Sequence, residues 1–464
     1  MRISLFFLLV LLSFTSLNAQ QQICGDQISK LLLEKKYPGV NAIIEHTFAK
    51  AQKEENLQRS SVVLKIPVVF HVVYNNDAQN ISDQLIQEQI DILNEDFRRA
   101  NANASETRDL FLPVAADAEI EFFLAGEDPE GSPSSGITRT ETDITSFTNI
   151  DLAALFEAIT ECGFDLQDPE ILACIFEFIG LDEGLDLDAM KFDESGGKDA
   201  WDTDRYMNVW VANLSIDAGG MESPFILGFA YPPMEAPNWP DGTLPENLED
   251  VEGVVLHYQV VGRTNPNLGA LAGINDQGRT AVHEVGHYLG LRHIWGDGDC
   301  TEDDGIDDTP AAGSNSQPTY DVPSCSDTHG KDSCENDMLP DMIENYMDYS
   351  VESCQNMFTI QQVDLMRNML LGPRSGLLEN TISSTNDITN IKLAVLPNPS
   401  TGLVQVSGTD HNIDIKVFSQ AGQLIHNQTK TNRSINLSFL ENGIYFLELS
   451  FEGFTEIHKL AIVK

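Results

Sequence analysis

Basic residues are scarce in this chain. Only 27 Lys and Arg stand against 72 Asp and Glu in 464 residues, a formal net charge of −45. A surface so negative repels phosphate backbones and anionic lipid alike, which excludes nucleic acid and acidic membranes as partners. Long apolar runs are lacking too. Beyond Ile3 to Leu12, no stretch approaches the ~20 apolar residues that a spanning helix needs, so no transmembrane segment is expected. Cysteine is sparse, with seven residues at 24, 162, 174, 300, 325, 334 and 354.

What is present begins with an export signal. One early Arg2, the apolar core from Ile3 to Leu12 and a small residue at Ala19 predict a secretory signal peptide over 1–19, cut before Gln20. In an oxidising compartment disulfides are expected. Cys162 and Cys174 fall together and are expected to pair, whereas Cys300, Cys325, Cys334 and Cys354 allow three connectivities. Cys24 is left alone.

Residues 283–293 read His-Glu-Val-Gly-His-Tyr-Leu-Gly-Leu-Arg-His, the H-E-x-x-H-x-x-G-x-x-H pattern of a metzincin zinc site. His283 and His287, four apart on a helix, leave the same face and reach one ion. Glu284 points too far round to join them, yet is placed to hold an attacking water and take its proton. A continuing helix would carry residue 293 away. Gly290 is therefore expected to turn the chain through a left-handed conformation and return His293 as third ligand, leaving one position open for catalysis. The bland alternative is an amphipathic helix with ordinary histidines. A chance match at five fixed positions is on the order of 10⁻⁵ in a chain of this length.

Downstream, in Asn345-Tyr346-Met347-Asp348-Tyr349, Met347 is the candidate methionine turn beneath the imidazoles. Tyr349 offers a hydroxyl to the oxyanion of a tetrahedral intermediate. A Met in a Tyr-rich stretch is otherwise plain packing.

From about Ile66 to Leu371 the chain resembles the pappalysin family of metzincins, secreted proteases related to pregnancy-associated plasma protein A. Besides the zinc motif and Met347, the resemblance is carried by Ile66-Pro67-Val68-Val69-Phe70-His71-Val72-Val73, by Leu227-Gly228-Phe229-Ala230-Tyr231-Pro232, and by Trp295-Gly296-Asp297 followed by Cys300. It implies a zinc endopeptidase that acts on proteins or peptides. It further implies an edge strand around Leu227 to Tyr231 that pairs with extended substrate, and disulfides joining Cys300 to Cys334 and Cys325 to Cys354. Calcium is implied in the acidic stretch 301–309, with Asp304, Asp307 and Thr309 as candidate ligands; a solvated acidic loop is the alternative. Some relatives prefer basic residues on the primed side through an acidic group after the methionine turn, a position near Glu352 here.

The periodicities agree with such a domain. Lys65 to Tyr74 is a β-branched run suited to a buried strand, and Ser82 to Arg98 has apolar residues at helical spacing behind a Ser N-cap. Strands are expected at Ile120 to Leu124, Tyr206 to Val211 and Gly253 to Val260. The expectation is an α+β metzincin catalytic domain over 60–376, a mixed twisted sheet plus the zinc-binding helix. Residues 146–190 form an apolar, acidic insertion that reads as one or two helices.

Ahead of it, 20–59 reads as a propeptide with an accessible cut near Gln58 or Arg59. Cys24, in Ile23-Cys24-Gly25-Asp26, has the form of a latency switch whose thiolate fills the open zinc position. Asp26 in that role, or an idle thiol, are the alternatives.

After a Ser, Thr and Asn-rich linker at 377–390, residues 391–464 alternate as a small all-β sandwich of about seven strands. Pro397-Asn398-Pro399, the Phe418 to Gly422 turn, Asn442-Gly443-Ile444-Tyr445 and the terminal Lys464 resemble the sorting domain of the type IX secretion system. That resemblance implies the type IX machinery as partner and export through the outer membrane of a Bacteroidetes-type bacterium. A carbohydrate-binding module is the alternative for the tail. The expected protein is a secreted zinc metalloendopeptidase made as a latent precursor, with a catalytically silent, calcium-dependent surface adhesin as the competing reading. The presence of Glu284 argues for the enzyme.

Overall fold

The computed structural model describes residues 62–148, 186–217, 226–233, 248–317, 339–378 and most of 394–464, with shorter pieces at 222–224 and 331–334 and isolated residues elsewhere. It divides into two compact units, one holding 64–379 and the other 380–464.

In the first unit, β1 (Leu64–Tyr74) lies inside a six-stranded sheet. Its run of Ile, Val and Phe is buried on both faces, as a strand covered on both sides requires. Helix α1 (Asp83–Phe97) follows; the Ser82 side chain caps it by accepting from the Leu85 amide at 3.3 Å, and Ile86, Ile90, Leu93 and Phe97 face the core. Strands β2 (Ala115–Ala116), β3 (Ile120–Leu124) and β4 (Ile137–Glu141) come next. Beyond them lie β5 (Met207–Ala212), the hairpin β6 (Ser215–Asp217) and β7 (Glu222–Pro224), β8 (Gly228–Ala230) and β9 (Val254–His257).

The sheet order is β3-β1-β5-β9-β8, with β4 also paired to β1. All pairings are parallel except β8 with β9, where Phe229 sits opposite Val255. Strand β8 is thus an antiparallel edge. The expected strand at Gly253 to Val260 is shorter than its apolar run. At His257 the ring Nδ1 accepts from the Gln259 amide at 3.1 Å and caps a 3₁₀ turn over Tyr258–Val260.

Helix α2 (Arg279–Tyr288) is buried along its whole length. Strand β10 (Phe358–Thr359) pairs with β2, and Thr359 and Gln362 form a reciprocal capping box at the start of α3 (Ile360–Leu371). Past α3, the Arg374 guanidinium lies 3.6 Å over the Tyr288 ring. It donates to the carbonyls of Tyr288 (3.0 Å) and Tyr231 (3.1 Å), and pairs with Glu252 at 2.7 Å. Leu377 and Leu378 are buried in the same core, so chain packing extends two residues into the stretch whose composition reads as linker.

The insertion 146–190 lies largely outside the described residues, although Cys162 and Cys174 are joined in a disulfide. In the second unit β11 (Ala394–Leu396), β12 (Leu403–Ser407) and β15 (Ser434–Asn436) make one antiparallel sheet. The other contains β13 (Ile413–Ser419), β14 (Leu424–Lys430), β16 (Gly443–Phe451) and β17 (Phe454–Ile462). Val404, Val417, Ile435, Leu447 and Leu460 share one apolar core drawn from both sheets.

Candidate active site

Helix α2 ends where its sequence says it must. Leu289 is the C-cap and Gly290 follows with φ +92°, a left-handed conformation that glycine adopts without penalty. The Gly290 amide donates to His287 O (2.8 Å) and the Leu291 amide to Gly286 O (2.9 Å), the paired bonds of a Schellman turn. A Cβ on Gly290 would also lie 2.8 Å from Met369 Cε, so the conformation demands glycine and the methionine end would have to move for any larger residue.

This turn swings His293 back beneath the helix. His287 Nε2 lies 3.0 Å from His283 Nε2 and 3.1 Å from His293 Nε2, with all three side chains buried. Among the described residues this is the one group of His, Cys, Asp or Glu whose ligand atoms converge at metal distance. Two nitrogens bound to a tetrahedral ion at 2.0–2.1 Å stand about 3.3 Å apart, so the cluster fits zinc.

Each ring is aimed by its other nitrogen. His283 Nδ1 bonds Tyr346 O at 2.7 Å, His287 Nδ1 bonds Leu291 O at 2.9 Å, and His293 Nδ1 bonds the Asp297 carboxylate. These acceptors hold the proton on Nδ1 and turn each Nε2 lone pair inward. Trp295 stacks on His293, with ring centres 4.3 Å apart and planes 8° from parallel. Met347 is fully buried against the helix turn between the first two histidines, where a Cβ on Gly286 would meet its Sδ at 2.5 Å. The Tyr349 hydroxyl is 3.1 Å from His293 Nε2.

Glu284 is buried beside the edge strand. A Cβ on Gly228 would fall 2.7 Å from its Cγ and 3.0 Å from its Oε1, so β8 passes directly over this carboxylate. Next to it is a cavity lined by Leu227, Asn275, Thr280, Glu284, Asp348, Tyr349 and Gln355, among others. Asn275 Oδ1, Asp348 Oδ2 and Gln355 Oε1 are buried there without a hydrogen-bond partner among the described residues. Burial pushes the Asp348 carboxyl above the usual range. Glu352 also lines the cavity, but its oxygens are engaged by the Gln277 amide and by the amide and hydroxyl of Thr280.

Sequence spacing does not reveal the supports of this site. Asp96 of α1 takes the Tyr346 hydroxyl at 2.7 Å and Arg279, the first residue of α2, at 3.1 Å, so one carboxylate ties three distant segments together. Asp297 stands in the sequence only as part of a familiar run; its positive φ of 60° is what bends it back onto His293.

Disulfides join Cys300 to Cys334 and Cys325 to Cys354 on the far side of the motif. The acidic loop gathers less than its composition suggests. Asp304 is buried and accepts from the Thr309 hydroxyl at 2.9 Å, and burial pushes its carboxyl up to about 7. Asp307 is exposed, and no three-carboxylate group forms there among the described residues. Cys24 lies outside the described residues.

Comparison with known proteins places this geometry. Residues 261–371 match the family described as pregnancy-associated plasma protein-A, and residues 394–464 match the secretion system C-terminal sorting domain. Mature mirolysin of Tannerella forsythia, solved with a cleaved peptide, is 37% identical over 70% of this chain and 98% of its own, with a TM-score of 0.52. A promirolysin variant from the same organism is 33% identical over 78% of this chain and 99% of its own, with a TM-score of 0.57. An extracellular metalloprotease of Arthroderma gypseum is 27% identical over 80% of this chain and 90% of its own length. No described helix is long and apolar enough to cross a membrane. The chain belongs to the pregnancy-associated plasma protein-A family of secreted metalloproteases and carries a C-terminal domain for type IX export.

Proposed function

We propose that the chain is a zinc endopeptidase in which His283, His287 and His293 hold the metal and Glu284 is the general base. The observation that carries this reading is the convergence of three buried Nε2 atoms, each with its Nδ1 occupied, beside a buried glutamate under an edge strand. Zinc bound there would supply Lewis-acid polarisation of the scissile carbonyl and acidify a water toward a pKa of ~7.

The chain's own residues do the rest. The free edge of β8 aligns an extended peptide over Glu284. Glu284, shielded from bulk solvent, takes a proton from the attacking water and returns it to the leaving amine. The Tyr349 hydroxyl turns from His293 to donate to the oxyanion. Met347 fills the space under α2 and keeps the imidazoles from sinking.

We propose a preference for Arg or Lys at the first primed position, carried by Asp348, Gln355 and Asn275. Three buried acceptors lacking donors suit a side chain with several N–H groups, and a cation would draw the Asp348 carboxyl back to its charged form. Glu352 is spent on backbone amides and does not serve this role. A peptide library cut mainly before apolar residues would reject this preference.

Latency through Cys24, and calcium held around Asp304 and Thr309, complete the reading. A Cys24→Ser precursor that stayed as inert as wild type would remove the first. A melting temperature unchanged by calcium would remove the second.

The deciding experiment is digestion of a denatured protein by processed enzyme, with and without a zinc chelator, beside Glu284→Ala. Chelator-sensitive cutting that is absent from the variant, while the variant still binds zinc, supports the mechanism. Cutting by the variant would overturn the role of Glu284.

A further inference from the structure

A second surface lies further along α2 from the Glu284 cavity, at its C-terminal end. Residues 41, 44, 45 and 48 have helical backbone and the spacing of one helix face. Ile44 and Phe48 are buried against the main unit. Arg292 forms an ion pair with Glu45 and lies 4.2 Å over the Phe48 ring. The wall that receives them is made by Pro232, Pro233, His287, Leu291, Arg292 and Met369.

The position of this wall matters. Pro232 and Pro233 continue directly from β8, whose other end reaches Leu227 in the cavity beside Glu284. At about 3.3 Å per residue, a peptide lying along β8 from that cavity arrives at the wall after on the order of 15 Å. The Schellman turn before it and His293 after it set the backbone of Arg292, and its guanidinium rests against Glu45 and Phe48. In a chain with a net charge of −45, a guanidinium beside the end of the edge strand is a selective feature.

We propose that this wall is a subsite for an acidic and aromatic segment of substrate, at the other end of β8 from the Asp348 cavity. The Arg292 guanidinium takes a carboxylate at its edge and an aromatic ring on its face, while Leu291, Pro232 and Met369 receive aliphatic side chains. Ile44, Glu45 and Phe48 fill the subsite in this chain with the chemistry it selects, a carboxylate and an aromatic ring. The proposal rests on the endopeptidase reading for its occupant, but not for its test.

The test uses the full chain carrying Glu284→Ala, so that no proteolysis is needed, with Glu45→Ala and Phe48→Ala added to vacate the wall. A fluorescent peptide of residues 38–52 is titrated by anisotropy. Saturable binding is expected in the micromolar to millimolar range, since a peptide of that length is a poor helix alone. The chain with its own Glu45 and Phe48 should bind at least tenfold more weakly. Adding Arg292→Glu to the vacated chain should also cost at least tenfold, and a Glu45→Lys peptide should recover most of that loss. Should Arg292→Glu fail to melt cooperatively, Arg292→Gln serves in its place. No binding up to a millimolar, or binding indifferent to the charge at 292, would overturn the proposal. Neither result depends on whether the wild-type enzyme cuts anything.

Discussion

Glu352 Oε1 accepts from the Thr280 amide at 2.7 Å and the Thr280 hydroxyl at 2.8 Å, while its Oε2 takes the Gln277 amide at 2.6 Å. Helix α2 has Gly278 at its N-cap, a residue with no side chain to satisfy the first amides. Glu352 supplies that cap from beyond Met347, and its carboxyl faces the positive end of the helix.

Removing this carboxylate should therefore loosen the metal helix rather than change specificity. Glu352→Ala leaves several buried donors unpaired and is expected to cost about 2–4 kcal/mol. Thermal melts of Glu352→Ala and Glu352→Gln would check it, with Gln, which keeps one acceptor, losing less. A melting point unchanged in Glu352→Ala would contradict the cap.

Gly228→Ala places a methyl where Glu284 Cγ and Oε1 now lie. The expected outcome is a fall in kcat of about tenfold or more, because a base displaced by under an ångström loses its alignment. Zinc content should be unchanged. Equal activity in the two proteins would show that the strand does not press on the carboxylate.

Tyr349→Phe removes a hydroxyl and leaves the ring packed against His293 and Trp295. A loss of one oxyanion donor predicts kcat lower by roughly 10²-fold, with KM little altered. Steady-state kinetics on one peptide decide it, and a selective rise in KM would assign the hydroxyl to substrate binding instead.

Two buried histidines outside the 283–293 motif set the acid limit. Burial lowers the pKa of His71 to about 4 and that of His257 to about 3. Both folded values lie below the unfolded value of ~6.5, so the unfolded chain binds more protons as pH falls. The stability these neutral rings contribute is whole above pH ~6.5 and drains away below it, at about 1.4 kcal/mol per pH unit for each group. By pH 5 each should have cost about 2 kcal/mol. Denaturant melts between pH 7 and 5 should show this slope, and replacing His257 with Gln should shrink it.

The convergence of the three histidines was legible because its signal is local. His283, His287, Gly290 and His293 fall within one helix and one turn, where spacing alone dictates direction. β1, α1 and β3 were equally plain, β1 as an unbroken β-branched run buried on both faces, α1 and β3 because their apolar spacing follows a single buried face. The supports were hidden for the opposite reason. Asp96 meets Tyr346 across 250 positions of chain, a distance at which no period survives. The Gly253 to Val260 run reads as one strand because it is rich in Val and Leu and flanked by glycine, and the His257 side chain, accepting from the Gln259 amide, ends it early. In the acidic loop, composition tells that carboxylates are close in sequence but not how each is placed: Asp304 is buried against Thr309 while Asp307 is exposed.

Arg374 fastens the end of the catalytic unit to the carbonyl of Tyr288 at the foot of the metal helix and to that of Tyr231 just past the edge strand. Truncation at this end would consequently be lopsided in effect. A cut after the buried Leu378 would leave both walls of the cleft anchored, whatever sequence followed. A cut only a handful of residues earlier would unfasten both walls together, so Arg374 marks how short the unit can become.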